Sequence, residues 1–251
     1  MQGLTLSLAN WFETALGRYL LTREQDFIDQ AIADVFGFNA LQLGLGQHDF
    51  LRASRIPFRF TIGPEPSAKL RAEYIYLPIS NGSIDLAVLP HVLEFSSNPH
   101  QLLREIERVL VPEGQVIIVG FNPWSLWGLR RAFDGTREEY PWCGRFINLP
   151  RLKDWLALLG FDVSAGRVGG YLPPINREVW LQRLAFMDAV GDRWWPFGGG
   201  VYFLQAVKRV AGMRVIVPAW RDTSAAKKHL APVPRKVADR DDGAEPMRKA
   251  G

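Results

Sequence analysis

Gly44-Leu45-Gly46 follows an apolar run, Ala40 to Leu43, and an acid, Glu65, stands in Gly63-Pro64-Glu65-Pro66-Ser67. Glycines after a strand permit a tight turn and let a bound group approach the backbone. N–H groups at a following helix start can receive an acidic group. A carboxylate at the end of the next strand, about twenty residues on, can accept hydrogen bonds from both hydroxyls of a ribose. The dinucleotide pattern G-x-G-x-x-G is incomplete, because Asp49 holds its third glycine position. Leu89, Pro90 and His91 end a further apolar run. His91 is the candidate catalytic base, since neutral imidazole accepts a proton near pH 7; a histidine packed beside the site for structural reasons is the alternative. The chain has four His and one Cys, none at metal-ligand spacing, so no metal site is expected and an intrachain disulfide is impossible.

The elements that must position these residues alternate. Residues 8–20 and 23–35 read as helices, the second with Phe27, Ile28, Ala31, Ile32, Val35 and Phe36 at helical spacing and Gly37 as its stop. Strands are expected at 40–43, 57–62, 74–77, 84–89, 115–121, 161–168 and 201–207. Helices are expected at 47–54, 67–72, 99–110, 152–159 and 177–190. Ile84 to Leu89 is apolar but for Asp85, as suits a strand buried on both faces. The expected fold class is α/β: a Rossmann-like, seven-stranded, mostly parallel sheet with flanking helices. The long segment 169–200 lets the last strand return antiparallel. The order of the strands is not legible.

Composition bounds the rest. The apolar fraction of 47% supports a buried core over residues 1–220, read as one domain. Within it, 1–37 supplies N-terminal helices over the cofactor end, and 122–149 and 169–200 are insertions on the acceptor side. The net charge is +4, and residues 221–251 carry eight Lys/Arg against five Asp/Glu. That basic segment lacks periodicity and reads as a disordered tail. Acids interrupt its basic runs and no aromatic platform accompanies them, which argues against nucleic acid as a partner. No basic region precedes an apolar run at the N-terminus, and no window of about twenty residues is free of charge; the expectation is a cytoplasmic protein without a membrane span. Oligomeric state is not encoded.

Further residues complete a recognisable series: Glu73 four before Leu77-Pro78, then Asn81-Gly82-Ser83-Ile84-Asp85, His91-Val92-Leu93-Glu94, Arg104 to Leu110 and Pro112-Glu113-Gly114. With the glycine turn and Glu65, this series resembles the class I S-adenosylmethionine-dependent methyltransferases, of the type 11 methyltransferase-domain kind. The likeness is close over about 38–121 and loose over 145–209. The resemblance implies that the backbone at Gly44 and Gly46 faces the methionine end of S-adenosylmethionine, that Glu65 holds the ribose, and that Glu73 approaches the adenine amino group. It also implies that Leu89, Pro90 and His91 border the sulfonium. Three positions depart from the family pattern: Gln42 replaces an acid, His48 a glycine, and Glu73 is longer than the usual Asp.

The implied activity is methyl transfer to a small-molecule acceptor. The alternative is a catalytically inactive protein of this fold that binds or regulates. Phe121 to Trp127 is expected to wall the acceptor pocket. Arg130 and Arg131 either bind an acidic acceptor or stay solvated. Trp194-Trp195-Pro196-Phe197 forms a lid or a subunit contact.

Overall fold

The computed structural model describes residues 7–133, 139–184, 186–195 and 197–210. The expected tail at 221–251 and Pro196 lie outside them. In chain order the elements are α1 (Leu8–Phe12), α2 (Ala15–Ile32), β1 (Asn39–Leu43), β2 (Phe58–Gly63), β3 (Leu70–Arg71), β4 (Ile84–Pro90), α3 (Val92–Phe95), α4 (Pro99–Val109), β5 (Leu110–Phe121), α5 (Leu126–Phe133), α6 (Leu149–Leu158), β6 (Phe161–Gly169), α7 (Glu178–Arg183), α8 (Phe186–Trp194) and β7 (Val201–Lys208).

The sheet has seven strands in the order β3-β2-β1-β4-β5-β7-β6, with β7 antiparallel to both of its neighbours and the rest parallel. Consecutive strands run outward from β1 on one side, and β4 then starts the other side. The order therefore reverses between β1 and β4, and a crevice opens beyond the carboxyl ends of such a pair. Alternate side chains feed two cores. Leu41, Leu43, Ala87 and Leu89 join Leu102, Leu103, Ile106 and Val109 of α4 on one face. Ala40, Leu86, Val88, Ile117 and Val119 join Leu16, Leu20, Ile28 and Ile32 of α2 on the other. Helix α4 begins where it should: Asn98 accepts a hydrogen bond from the Gln101 N–H at 3.1 Å, and Pro99 fills the first turn.

Several local expectations need correction, each for a physical reason. No strand forms at 74–77. The Leu77 N–H donates to Glu105, and Arg108 donates to the Leu77 and Ile79 carbonyls, so side chains satisfy that backbone and the third strand is only Leu70–Arg71. No helix forms at 47–54, because Gln42 takes the His48 carbonyl and the Phe50 N–H while Arg59 takes the carbonyls of Leu51, Arg52 and Ser54. The expected helix at 67–72 gives way to β3, with the Lys69 N–H bonded to Thr61 Oγ1. The N-terminal helices divide at Thr14, whose hydroxyl caps the Gly17 N–H at 3.0 Å. A single helix at 177–190 is replaced by α7 and α8, and α5 occupies part of a stretch read as irregular. Among the described residues no helix is long and apolar enough to cross a membrane, and no group of His, Cys, Asp and Glu is arranged to hold a metal ion.

Candidate cofactor crevice

The turn after β1 is a strained, side-chain-braced loop. Gly44 has φ +72° and Leu45 φ +48°, both in the left-handed region that glycine adopts without cost. Gln42 is fully buried beneath it and donates from Nε2 toward the carbonyls of Gly44 (3.0 Å), Leu45 (3.2 Å) and His48 (2.9 Å). Its Oε1 accepts from the Phe50 N–H at 3.0 Å. An acid at this position has no hydrogen to offer those three carbonyls, so the departure from the family pattern is matched to the loop it supports.

Beyond the carboxyl ends of β1, β2 and β4 lies a crevice of about 730 Å³. Gly44, Gly46, Glu65, Pro90 and His91 line it, together with Tyr74 and Tyr140. The start of α1 lines it too, at Leu8 and Ala9, which puts the N-terminal helices at this end of the sheet. The Glu65 carboxylate accepts from the Tyr74 hydroxyl at 3.1 and 3.4 Å and is only partly buried. Burial, then the adjacent Glu65 charge, pushes the Tyr74 phenol well above its ordinary range, so it remains a donor. A Cβ at Gly44 would lie 2.9 Å from that hydroxyl and 3.1 Å from Val92. Gly46 plays a different part: a Cβ there would meet the Ser67 backbone at 2.9 Å, so this glycine lets the two loops close against each other.

Two residues of the expected set are not in the crevice. Glu73 is exposed, and its neighbour Tyr74 is the residue that turns inward. Leu89 has no exposed surface and belongs to the core under α4.

The expectation that His91 is a free base is corrected by its surroundings. Its backbone is left-handed at φ +55° and starts α3, but its ring is fully buried. Nδ1 lies 2.9 Å from Glu94 Oε2, and Nε2 lies 2.8 Å from Glu24 Oε1. Burial opposes charge on the ring, but the two carboxylates outweigh it and push its pKa up to about 10. An imidazolium donating from both nitrogens has no lone pair with which to take a proton. Glu94 also accepts from the Phe121 N–H, so the cluster ties α2, the turn after β4 and the end of β5 together. Burial pushes the Glu94 carboxyl up, against the lowering effect of His91. His48 packs edge-on against Phe12, and burial holds its ring below the ordinary histidine range.

Glu24 and Tyr74 were missed from the sequence. A signal for Glu24 exists: it sits at four-residue spacing between Leu20 and Ile28, a lone acid in a buried helical stripe. Nothing in the sequence distinguished Tyr74 from other aromatics.

Beyond the crevice, Asn122 ties the end of β5 to the last loop by donating to the carbonyls of Phe197 and Gly199 at 2.8 and 2.9 Å. Arg131 donates to the carbonyls of Trp142 and Gly144, and Arg130 to that of Pro174, with its guanidinium 4.8 Å from the Trp142 ring centroid. Both arginines brace the 139–148 segment.

Residues 61–118 match the methyltransferase domain family. Over 131 residues the chain is 34% identical to the uncharacterized protein YafS of Escherichia coli (strain K12), covering 51% of this chain and 55% of that protein. Over 108 residues it is 32% identical to malonyl-[acyl-carrier protein] O-methyltransferase 1 of Coxiella burnetii (strain RSA 493 / Nine Mile phase I), covering 42% of this chain and 37% of that one. The chain thus spans about half the length, or less, of these curated relatives. A SAM-dependent methyltransferase from Archaeoglobus fulgidus has the same fold, with a TM-score of 0.54 at 17% identity over 76% of this chain and 94% of that one. The sheet order and the braced glycine turn at the switch point agree with these likenesses: the fold is that of the class I methyltransferases, and the sequence similarity to a methyltransferase domain spans residues 61–118.

Proposed function

We propose that this protein binds S-adenosylmethionine in the crevice between the turns after β1, β2 and β4 and methylates a small acceptor at the carboxyl edge of β4 and β5. The observation that carries this reading is the meeting of Gly44, Glu65, Tyr74 and Pro90 around one cavity of about 730 Å³ at the sheet's switch point. The residues fit the group. Glu65 offers acceptor oxygens to a ribose while Tyr74 fixes its direction, and Gly44 leaves open a space that a Cβ would fill. The cofactor, when bound, supplies a methyl group already activated on a sulfonium. The protein's part is alignment and exclusion of water. With the His91 ring committed to Glu24 and Glu94, the acceptor must present a nucleophile whose lone pair is already free.

That same commitment favours a second reading, a cofactor-binding protein without turnover. Calorimetric titration with S-adenosylhomocysteine tests the site, and label transfer from methyl-tritiated S-adenosylmethionine tests turnover. Glu65→Gln is expected to weaken S-adenosylhomocysteine binding by about 1.5–3 kcal/mol, roughly ten- to a hundred-fold, because hydrogen bonds to a charged acceptor are lost. Unchanged affinity rejects the ribose assignment. Tight binding with no transfer to any acceptor moves the conclusion to the second reading.

A further inference from the structure

Beyond the end of β5 a second concavity of about 370 Å³ opens, lined by Trp124, Arg145, Phe146, Asn148, Arg151 and Trp155 among others. No Asp or Glu lines it. Arg145 and Arg151 are both exposed, and neither has a carboxylate partner among the described residues. This distinguishes them from Arg23, Arg52, Arg108 and Arg209, each of which is ion-paired. The Arg151 guanidinium lies 5.3 Å from the Trp155 ring centroid, and His100 packs against the same ring at 3.9 Å. Trp124 is 75% exposed. Two like charges on one groove repel unless an anion joins them. Arginine's planar fork matches an oxyanion, and the flanking indole rings offer flat apolar surface to whatever carries it.

The groove is linked to the crevice by one segment. Tyr140 lines the crevice and packs on Phe95 at 5.1 Å, Gly144 sits close against that same Phe95 ring, and the Arg145 N–H donates to the Glu94 carbonyl at 2.8 Å. Pro123 of the groove follows β5, whose Val119 pairs with Pro90 of the crevice. Both cavities thus open at the carboxyl edge, beyond the ends of the neighbouring strands β4 and β5.

We propose that this groove takes the oxyanion of the methyl acceptor: a carboxylate or phosphate on a planar, apolar body, held by Arg145 and Arg151 between Trp124 and Trp155. The assignment rests on the crevice being the cofactor site, but its test stands apart from that reading. The full chain is titrated with 1-naphthylacetate, 1-naphthyl phosphate and the neutral 1-naphthylacetamide, with S-adenosylhomocysteine titrated in parallel. At least one anion is expected to bind ten-fold or more tightly than the amide, and which of the two does so identifies the oxyanion. An Arg145→Gln/Arg151→Gln double variant is expected to bring that anion down to the amide's affinity while S-adenosylhomocysteine affinity and the thermal midpoint stay unchanged. Equal affinity for anions and amide, an anion preference that survives the double variant, or no binding of any of the three overturns the proposal. No S-adenosylhomocysteine binding to the unmodified chain, with the anion preference intact, overturns the cofactor reading and leaves the groove as an anion site whose ligand is not a methyl acceptor.

Discussion

Two stretches of the carboxyl edge are built in different ways. Over β1, β2 and β4 the loops are held from below by buried polar side chains: Gln42 under the glycine turn, and the Glu24–His91–Glu94 cluster under the turn after β4. Beyond β5, aromatic side chains face outward, with Trp124, Phe133, Trp194 and Phe197 each at least 75% exposed. Helix α8 is even inverted: Asp188 points inward to Tyr19, Arg23 and the Tyr171 N–H, while Phe186, Val190 and Trp194 line its outer face. A site that must present one fixed shape gains from buried, hydrogen-bonded supports. A face that meets an acceptor or another molecule keeps its apolar surface exposed.

The sharpest way to break this contrast is His91→Phe. It leaves Glu24 and Glu94 buried without a counter-cation, and removing one partner from a buried ionic cluster costs about 3–5 kcal/mol. Urea unfolding measures it; a loss below 1 kcal/mol would show that the cluster is not a structural support. The pH dependence has a definite sign. The folded pKa of His91 is raised above its ordinary 6.5, to about 10, so its contribution is complete below pH 6.5 and is lost as pH rises through 10. Stability of the natural protein is expected to fall between pH 7 and pH 10, and this slope is expected to flatten in the variant.

A smaller effect is expected from Gln42→Glu. Although it restores the residue type usual in the family, it places a carboxylate against three carbonyl oxygens and takes away the amide N–H groups directed at them; only the Leu45 carbonyl keeps another donor, the His48 N–H. We expect a loss of about 1–3 kcal/mol in stability and weaker S-adenosylhomocysteine binding, read by thermal denaturation and calorimetry. A gain in both would mean that the amide is a defect rather than a brace. The smallest effect belongs to the other stretch. Trp194→Ser, on the exposed face of α8, is expected to change stability by no more than about 0.5 kcal/mol and to leave cofactor-site affinity untouched. A larger loss would show that this face is packed and would erase the contrast.

Legibility differed in the same way between the two stretches. Gly44, Gly46 and Glu65 could be read because a tight turn and a carboxylate after a strand are local requirements, written within a few neighbouring residues. Periodicity likewise revealed β4 and α4, since apolar spacing reports burial directly. The strand at 74–77 and the helix at 47–54 failed because distant side chains, Glu105, Arg108, Arg59 and Gln42, took backbone groups that local propensity assigned to a ladder or a helix. Arg130 and Arg131 drew attention as adjacent charges, yet Arg145 and Arg151, scattered in the sequence, are the pair that lines one groove.

From its sequence alone this protein is an alternating α/β chain with a glycine turn, a following carboxylate and a family likeness, because strand and helix periods and turn chemistry are properties of short segments. The strand order that brings β1 beside β4, the two carboxylates that lock the His91 ring, and the replacement of Glu73 by Tyr74 at the crevice wall belong to the tertiary structure. Each depends on which residues from remote segments arrive at the same point. That is set by packing the whole chain at once and leaves no local pattern to read.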